Sequence, residues 1–232
     1  MRFIMYQVKI LFSPVKWLLT GAFISCIPFM FYAPTARDVL KLFEIYLPFA
    51  GIILLPDVYW ADHYARAAEV LATRRHRGLL LVGCRFMVLF MFLLSMLLLG
   101  WLLLRLNLSP HGYRFSEEGI PLVKLLYVAV PGMLFVGSLA VLTGAFLRSP
   151  EAGYLLGLVY WMFWNVNMEL DTVLNLFVYA NGFNAAQSKT ALFMLSTLFI
   201  AASSYFILRP AEPFKLLGSL RNLLSKALDR MV

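Results

Sequence analysis

Six apolar runs divide the chain, each close to the length that carries an α-helix across a bilayer. They cover residues 17–32, 39–59, 79–104, 120–146, 153–173 and 191–208. A crossing takes about 20 apolar residues at a rise of about 1.5 Å each. The third run is the cleanest, with Arg85 near its start as its one charge. The second holds Lys41 and Glu44 at one end, with Pro48 and Pro56 inside, and the first is interrupted near its end by Pro28. The fourth carries Lys124 early, then Pro131 and the glycines Gly132, Gly137 and Gly144, which permit close helix approach. The fifth begins apolar at Gly153 and turns polar at Asn165.

Three segments follow a helical period without being apolar all round. In residues 1–16, Phe3, Ile4, Val8, Leu11, Phe12 and Val15 share one face, and Arg2, Lys9, Ser13 and Lys16 the other. That pattern predicts a helix lying in the membrane surface and leading into the first span. Residues 213–232 repeat it, with Leu216, Leu220, Leu223, Leu224 and Leu228 opposite Lys215, Asn222 and Lys226. Pro213 suits the first turn of that tail helix. Residues 59–75, between the second and third runs, are Ala-rich and strongly helical, and Asp62 stands four residues before Arg66.

Composition sharpens this into a membrane protein. The chain has 232 residues, of which 62% are apolar and 14% charged, with a mean hydropathy of +0.80. Soluble domains run about 45–50% apolar and about 25% charged. The expected fold is an all-α integral membrane protein of six transmembrane helices, two amphipathic surface helices and a helix at 59–75. The length leaves no room for a soluble catalytic domain besides.

The net charge of +8 does not point to nucleic acid, because the basic residues form short clusters between apolar blocks with no stacking aromatics interleaved. It fits the positive-inside rule instead. With the N-terminus in the cytoplasm, Arg37, Lys41, Arg105, Arg114, Lys124 and Lys189 fall outside, and the other fourteen lysines and arginines inside. Both termini and His76 are therefore expected in the cytoplasm, and His111 outside.

Candidate chemistry is sparse. Cys26 and Cys84 lie in apolar runs without metal-ligand spacing and read as packing residues. His63, His76 and His111 are scattered, with no H-E-x-x-H pattern, and no G-x-S-x-G elbow occurs. The stretch Asn165 to Asn175 is the polar exception. On a continuing helix, Asn165, Glu169 and Thr172 form one stripe and Asn167, Asp171 and Asn175 another. A helix polar on two sides belongs at an interface or beside a water-filled cavity, since a charge at the bilayer centre costs at least about 2.5–3.5 kcal/mol. Asn165, Asn167, Glu169 and Asp171 are thus candidates for an outer gate. Glu169 and Asp171, two apart, would point away from each other and cannot share one reacting group as acid and base.

In the segment joining the second and third runs, Ala68-Glu69-Val70-Leu71-Ala72-Thr73 is followed by basic residues, within a six-span chain preceded by a surface helix. That organisation resembles the type-2 ATP-binding-cassette permeases. Asp62 matches the early acidic residue of the family's loop, Glu69 and Leu71 match its core, and Arg85 stands where a lysine is usual. The family's Pro-x-Ser is replaced around Arg74, Arg75 and His76, and its Gly-Thr by Ala67-Ala68.

The resemblance implies one half of a translocation pathway in a bacterial cell membrane. It implies pairing with a second copy or a related permease, and two P-loop ATPase subunits that carry ATP and magnesium. It makes 59–75 a coupling helix, with Asp62, Tyr64, Arg66, Ala68, Glu69 and Leu71 as contacts, and places short re-entrant helices between the last two spans. The chain has no G-x-x-x-x-G-K-[ST] of its own, so it is not expected to be an enzyme or to bind a cofactor. The expected function is ATP-driven export of a peptide, an antimicrobial or another amphipathic compound. An ion-coupled secondary transporter would want charges near mid-membrane, which the runs almost lack. A membrane scaffold or immunity protein would need no cavity.

Overall fold

A computed structural model describes residues 2–11, 13–33, 35–59, 75–106, 120–182 and 185–207. The coupling contacts Asp62, Tyr64, Arg66, Ala68, Glu69 and Leu71, the His111 loop and the tail at 213–232 lie outside them. Among the described residues the fold is all-helical. Seven helices follow in order: α1 (Arg2–Leu11), α2 (Pro14–Met30), α3 (Ala36–Leu54), α4 (Arg75–Arg105), α5 (Leu122–Leu147), α6 (Pro150–Val166) and α7 (Ala185–Ile207). Four stretches are long and apolar enough to cross a membrane: Ala36–Tyr59, Leu80–Arg105, Leu122–Leu147 and Ala185–Ile207. The helices α2 and α6 are shorter, at 17 residues each.

Local chemistry sets the boundaries. Thr35 caps α3 through a reciprocal box, accepting from the Asp38 N–H at 3.2 Å while Asp38 accepts from the Thr35 N–H at 3.3 Å. Ser149 caps α6 with Pro150 in its first turn. The turn between α5 and α6 is only Arg148 and Ser149, and Arg148 takes the left-handed conformation (φ 55°) that ends α5. Pro28 does not break α2, which runs on to Met30. The surface helix ends earlier than expected, at Leu11, so Lys16 and Val15 belong to α2.

The central helix is α5, packed against α3, α6 and α7. Glycine makes the closest crossing there. A Cβ on Gly51 of α3 would lie 2.5 Å from the Met133 carbonyl, and one on Gly137 of α5 would lie 2.9 Å from the Gly51 carbonyl. The two backbones therefore touch directly, as the glycines of the fourth run anticipated. On the other side α4 packs against α2 and α1, and Leu11, Trp17, Leu89 and Leu93 are buried in the same cluster as Phe43 and Leu47. The Trp101 indole donates to the Ile120 carbonyl at 2.8 Å and ties the end of α4 to the start of α5.

The fifth run departs from its predicted helix. After Val166 the chain leaves the helix, and residues 167–182 run through successive turns before α7. Leu176, Phe177 and Val178 of this segment are buried. The two helical stripes expected through Asn165 to Asn175 therefore do not form.

Candidate functional site

Among the described residues four charged side chains are buried: Glu44 in α3, Asp57 in the turn after it, Arg85 in α4 and Lys189 in α7. A charge at such a position is expensive and persists only with partners. They sort into two layers, one just past the C-terminal end of α3 and one near its middle, about 20 Å apart at the usual rise per residue. Between the layers the described helices carry no Lys, Arg, Asp, Glu or His.

The first layer surrounds the end of α3. Asp57, in the helical turn that follows α3, accepts from the Lys16 ammonium of α2 at 2.7 Å and from the Tyr154 hydroxyl of α6 at 3.3 Å. Lys16 also donates to that hydroxyl at 3.1 Å. One helix further over, the Arg85 Nε donates to the Gln7 Oε1 of α1 at 2.9 Å, and its Nη1 to the Val58 carbonyl at 3.4 Å. Gln7 and Arg85 are 1% and 2% exposed, so this contact is dry. The layer thus joins α1, α2, α4 and α6 to the last residues before position 60.

The second layer pins the 167–182 segment. Glu44 of α3 and Lys189 of α7 form an ion pair at 2.6 Å, with side chains 1% and 0% exposed. The carboxylate also accepts the N–H groups of Tyr179 at 3.1 Å and Ala180 at 2.7 Å. The ammonium donates to the Leu176 carbonyl at 2.8 Å. Two side chains therefore satisfy three backbone groups that a helix would have satisfied itself, as buried backbone N–H and C=O groups require.

Asn175, also fully buried, organises the rest. Its amide donates to the Met168 carbonyl at 2.9 Å and the Leu170 carbonyl at 2.8 Å, and its oxygen accepts the Phe177 N–H at 2.8 Å. Asn181 bonds the Met168 carbonyl as well, Ser188 the Asn175 carbonyl, and Tyr160 the Leu174 carbonyl.

The expected gate residues sit around this segment. Asn165 and Asn167 turn back onto the end of α6, donating to the Trp161 and Phe163 carbonyls at 2.9 Å each. Glu169 and Asp171 are exposed in the turns that follow. The structure thus brings the four to one end of α6, with the carboxylates facing outward.

From the sequence Glu44 reads as a charge at a span end and Lys189 as a loop residue, and Asp57 stands out in no pattern. Lys189 instead lies inside α7 and is buried; Arg85 is likewise buried in α4. Removing both from the loop count leaves the basic bias in the same direction. The available signal was the presence of opposite charges inside apolar runs, and nothing in one sequence told which charge met which. Cys26 lies exposed on α2 instead of packing inside, and both cysteines are free. Among the described residues no acidic, histidine and cysteine group is arranged to hold a metal.

A cavity of about 460 Å³ opens between α4 and the α5–α7 pair. Phe90 and Leu94 form one wall and Val130, Pro131 and Phe193 the other, with the stem of Lys189 behind.

Helices of this length and apolarity define an α-helical membrane protein. No family model, curated protein or solved structure matches the chain.

Proposed function

We propose that this chain is the membrane subunit of an ATP-driven exporter, forming half of the translocation pathway for an amphipathic compound. Six helices, α2 to α7, cross a bacterial cell membrane in this reading, with α1 at the inner face and both termini cytoplasmic. ATP is hydrolysed on separate P-loop subunits that engage residues 59–75 through Asp62, Tyr64, Arg66, Ala68, Glu69 and Leu71.

One observation carries the reading: the chain roots on both sides of residues 60–74 are fastened into the same buried polar layer. Asp57 and Val58 precede that segment and Arg85 follows it, and their partners are Lys16, Tyr154 and Gln7. A force applied to 60–74 would reach α1, α2, α3, α4 and α6 through short bonds. At the opposite end, the pinned turns carrying Glu169 and Asp171 stand where cargo would leave, with Asn165 and Asn167 at their base.

Co-purification with a P-loop ATPase, together with transport by the complex, tests the reading. Glu69→Lys with Leu71→Asp should weaken the complex or uncouple hydrolysis from transport while insertion stays normal, since like charges at an interface cost several kcal/mol. Unchanged complex and unchanged transport would overturn the coupling role. Orientation is tested separately with single cysteines at positions 76 and 111 and an impermeant reagent. Labelling of position 76 from outside intact cells would overturn the six-span topology.

A second reading, an ion-coupled transporter, gains support from the buried Glu44–Lys189 pair, because paired charges inside apolar helices also serve proton relays. Transport that follows an imposed pH gradient without ATP, and is lost in Glu44→Gln, would favour it over the exporter.

A further inference from the structure

The cavity between α4 and the α5–α7 pair has features that choose its occupant. All three of its walls belong to stretches long and apolar enough to cross a membrane. Its lining is almost wholly hydrocarbon and aromatic, and its size falls within the range of about 300–1,000 Å³ that small-molecule sites occupy. Lys189 contributes only its stem, because its ammonium is consumed by Glu44 and the Leu176 carbonyl. The pocket is therefore apolar in depth, suited to a hydrocarbon chain.

Its rim is different. On α5, Tyr127 lines the mouth and is 41% exposed, and Lys124 stands one turn above it toward the start of the helix, also exposed. The Lys124 ammonium sits 5.5 Å above the Tyr179 ring. On α4, the stripe of Phe90 and Leu94 climbs to Trp101, whose ring lies 5.3 Å from the Arg105 guanidinium. Trp101 is bonded to Ile120, so α4 and α5 are joined above the pocket and both cations belong to the same end. A hydrocarbon slot below two cations and an aromatic belt matches an anionic amphiphile standing along the bilayer normal.

We propose that this groove holds one anionic phospholipid, drawn from the leaflet at the α5 start. One acyl chain lies between α4 and the α5–α7 pair, and the phosphate lies near Lys124 and Arg105. The lipid would fill a gap that α4, packed mainly on α1 and α2, leaves beside α5 and α7. This inference does not depend on the exporter reading.

The test is native mass spectrometry of the full chain released from nanodiscs made of equal phosphatidylglycerol and phosphatidylcholine with identical acyl chains. One retained lipid per chain is expected, with phosphatidylglycerol preferred by about thirtyfold, as two cations near an anionic headgroup would give at about 1 kcal/mol each. Val130→Trp and Thr190→Trp, which fill the slot from two sides, should each abolish retention. Lys124→Gln with Arg105→Gln should keep the lipid but erase the preference. These two exposed positions leave the packing intact, so that arm remains decisive if a filled variant fails to fold. No retained lipid in the wild type, an equal mixture of the two lipids, or retention unchanged in well-folded filled variants would each overturn the proposal.

Discussion

Removing the Lys189 ammonium isolates the energetics of the second polar layer. Lys189→Met keeps the length and apolar stem of the side chain but leaves Glu44 as an uncompensated buried carboxylate. With side chains 0% and 1% exposed, neither partner can turn to solvent, so screening offers no relief. Breaking such a pair from one side costs about 3–5 kcal/mol. Glu44→Ala should cost at least as much. It strands Lys189 and also removes the acceptor for the Tyr179 and Ala180 N–H groups, each bond to a charged acceptor being worth about 1.5–3 kcal/mol.

The informative variant is the double one, Glu44→Gln with Lys189→Met. It carries no charge, and the glutamine carbonyl still accepts one of the two N–H groups, so the loss should be smaller than that of Lys189→Met alone. Equilibrium unfolding in mixed detergent micelles, run on both single variants and the double, gives the coupling energy directly. If the costs of Glu44→Gln and Lys189→Met simply add to within about 0.5 kcal/mol, the pair is not acting as a pair, and the account of the pinned segment is wrong.

The glycine crossing and the first polar layer make further predictions. Gly137→Val should destabilise by about 1–3 kcal/mol or more in the same unfolding assay, because α3 and α5 must separate to admit it. Gly83→Ala, inside α4 where an added Cβ meets nothing within 4 Å, should instead stabilise by about 0.5–1 kcal/mol, the helix-propensity gain of alanine over glycine. Equal effects at both positions would refute the close crossing. Asp57→Asn should cost only about 0.2–1 kcal/mol, since the Lys16 side chain is 40% exposed and water can replace its partner. A loss as large as that of Lys189→Met would show that the Lys16–Asp57 pair is as dry as the Glu44–Lys189 pair.

The helices were legible because their signal is long and redundant: α4 and α5 announce themselves through 22 and 19 apolar residues. The turns at 167–182 were not. Their apolar members, Leu170, Leu174, Leu176, Phe177 and Val178, mimic the spacing of a buried helix. What ends the helix is a set of bonds formed at a distance, from Glu44, Lys189 and the side chain of Asn175. Asn175 was read as one member of a polar stripe, whereas its amide replaces backbone partners that the turns have lost. Asn165, Asn167, Glu169 and Asp171 do lie together at the end of α6, as their polarity beside an apolar run suggests, but in turns and not on a continuing helix. Of the two polar layers, the charges were visible and the pairings were not, because pairing depends on how α1, α2, α3, α4, α6 and α7 stand in space.

The partners of Glu44 bear on how the protein is made. Tyr179 and Ala180 lie 135 and 136 residues downstream of it, and Lys189 lies later still. At about 5–20 residues per second, translation takes roughly 7–27 s to reach them. During that interval α3 has been synthesised with a carboxylate and no counter-ion. The nascent α3 must wait at the insertion machinery, or sit shallow enough to keep Glu44 hydrated, until α7 emerges. Placing Glu44 therefore waits on α7, and a chain truncated before Lys189 would leave an acidic, half-inserted segment for quality-control proteases to recognise.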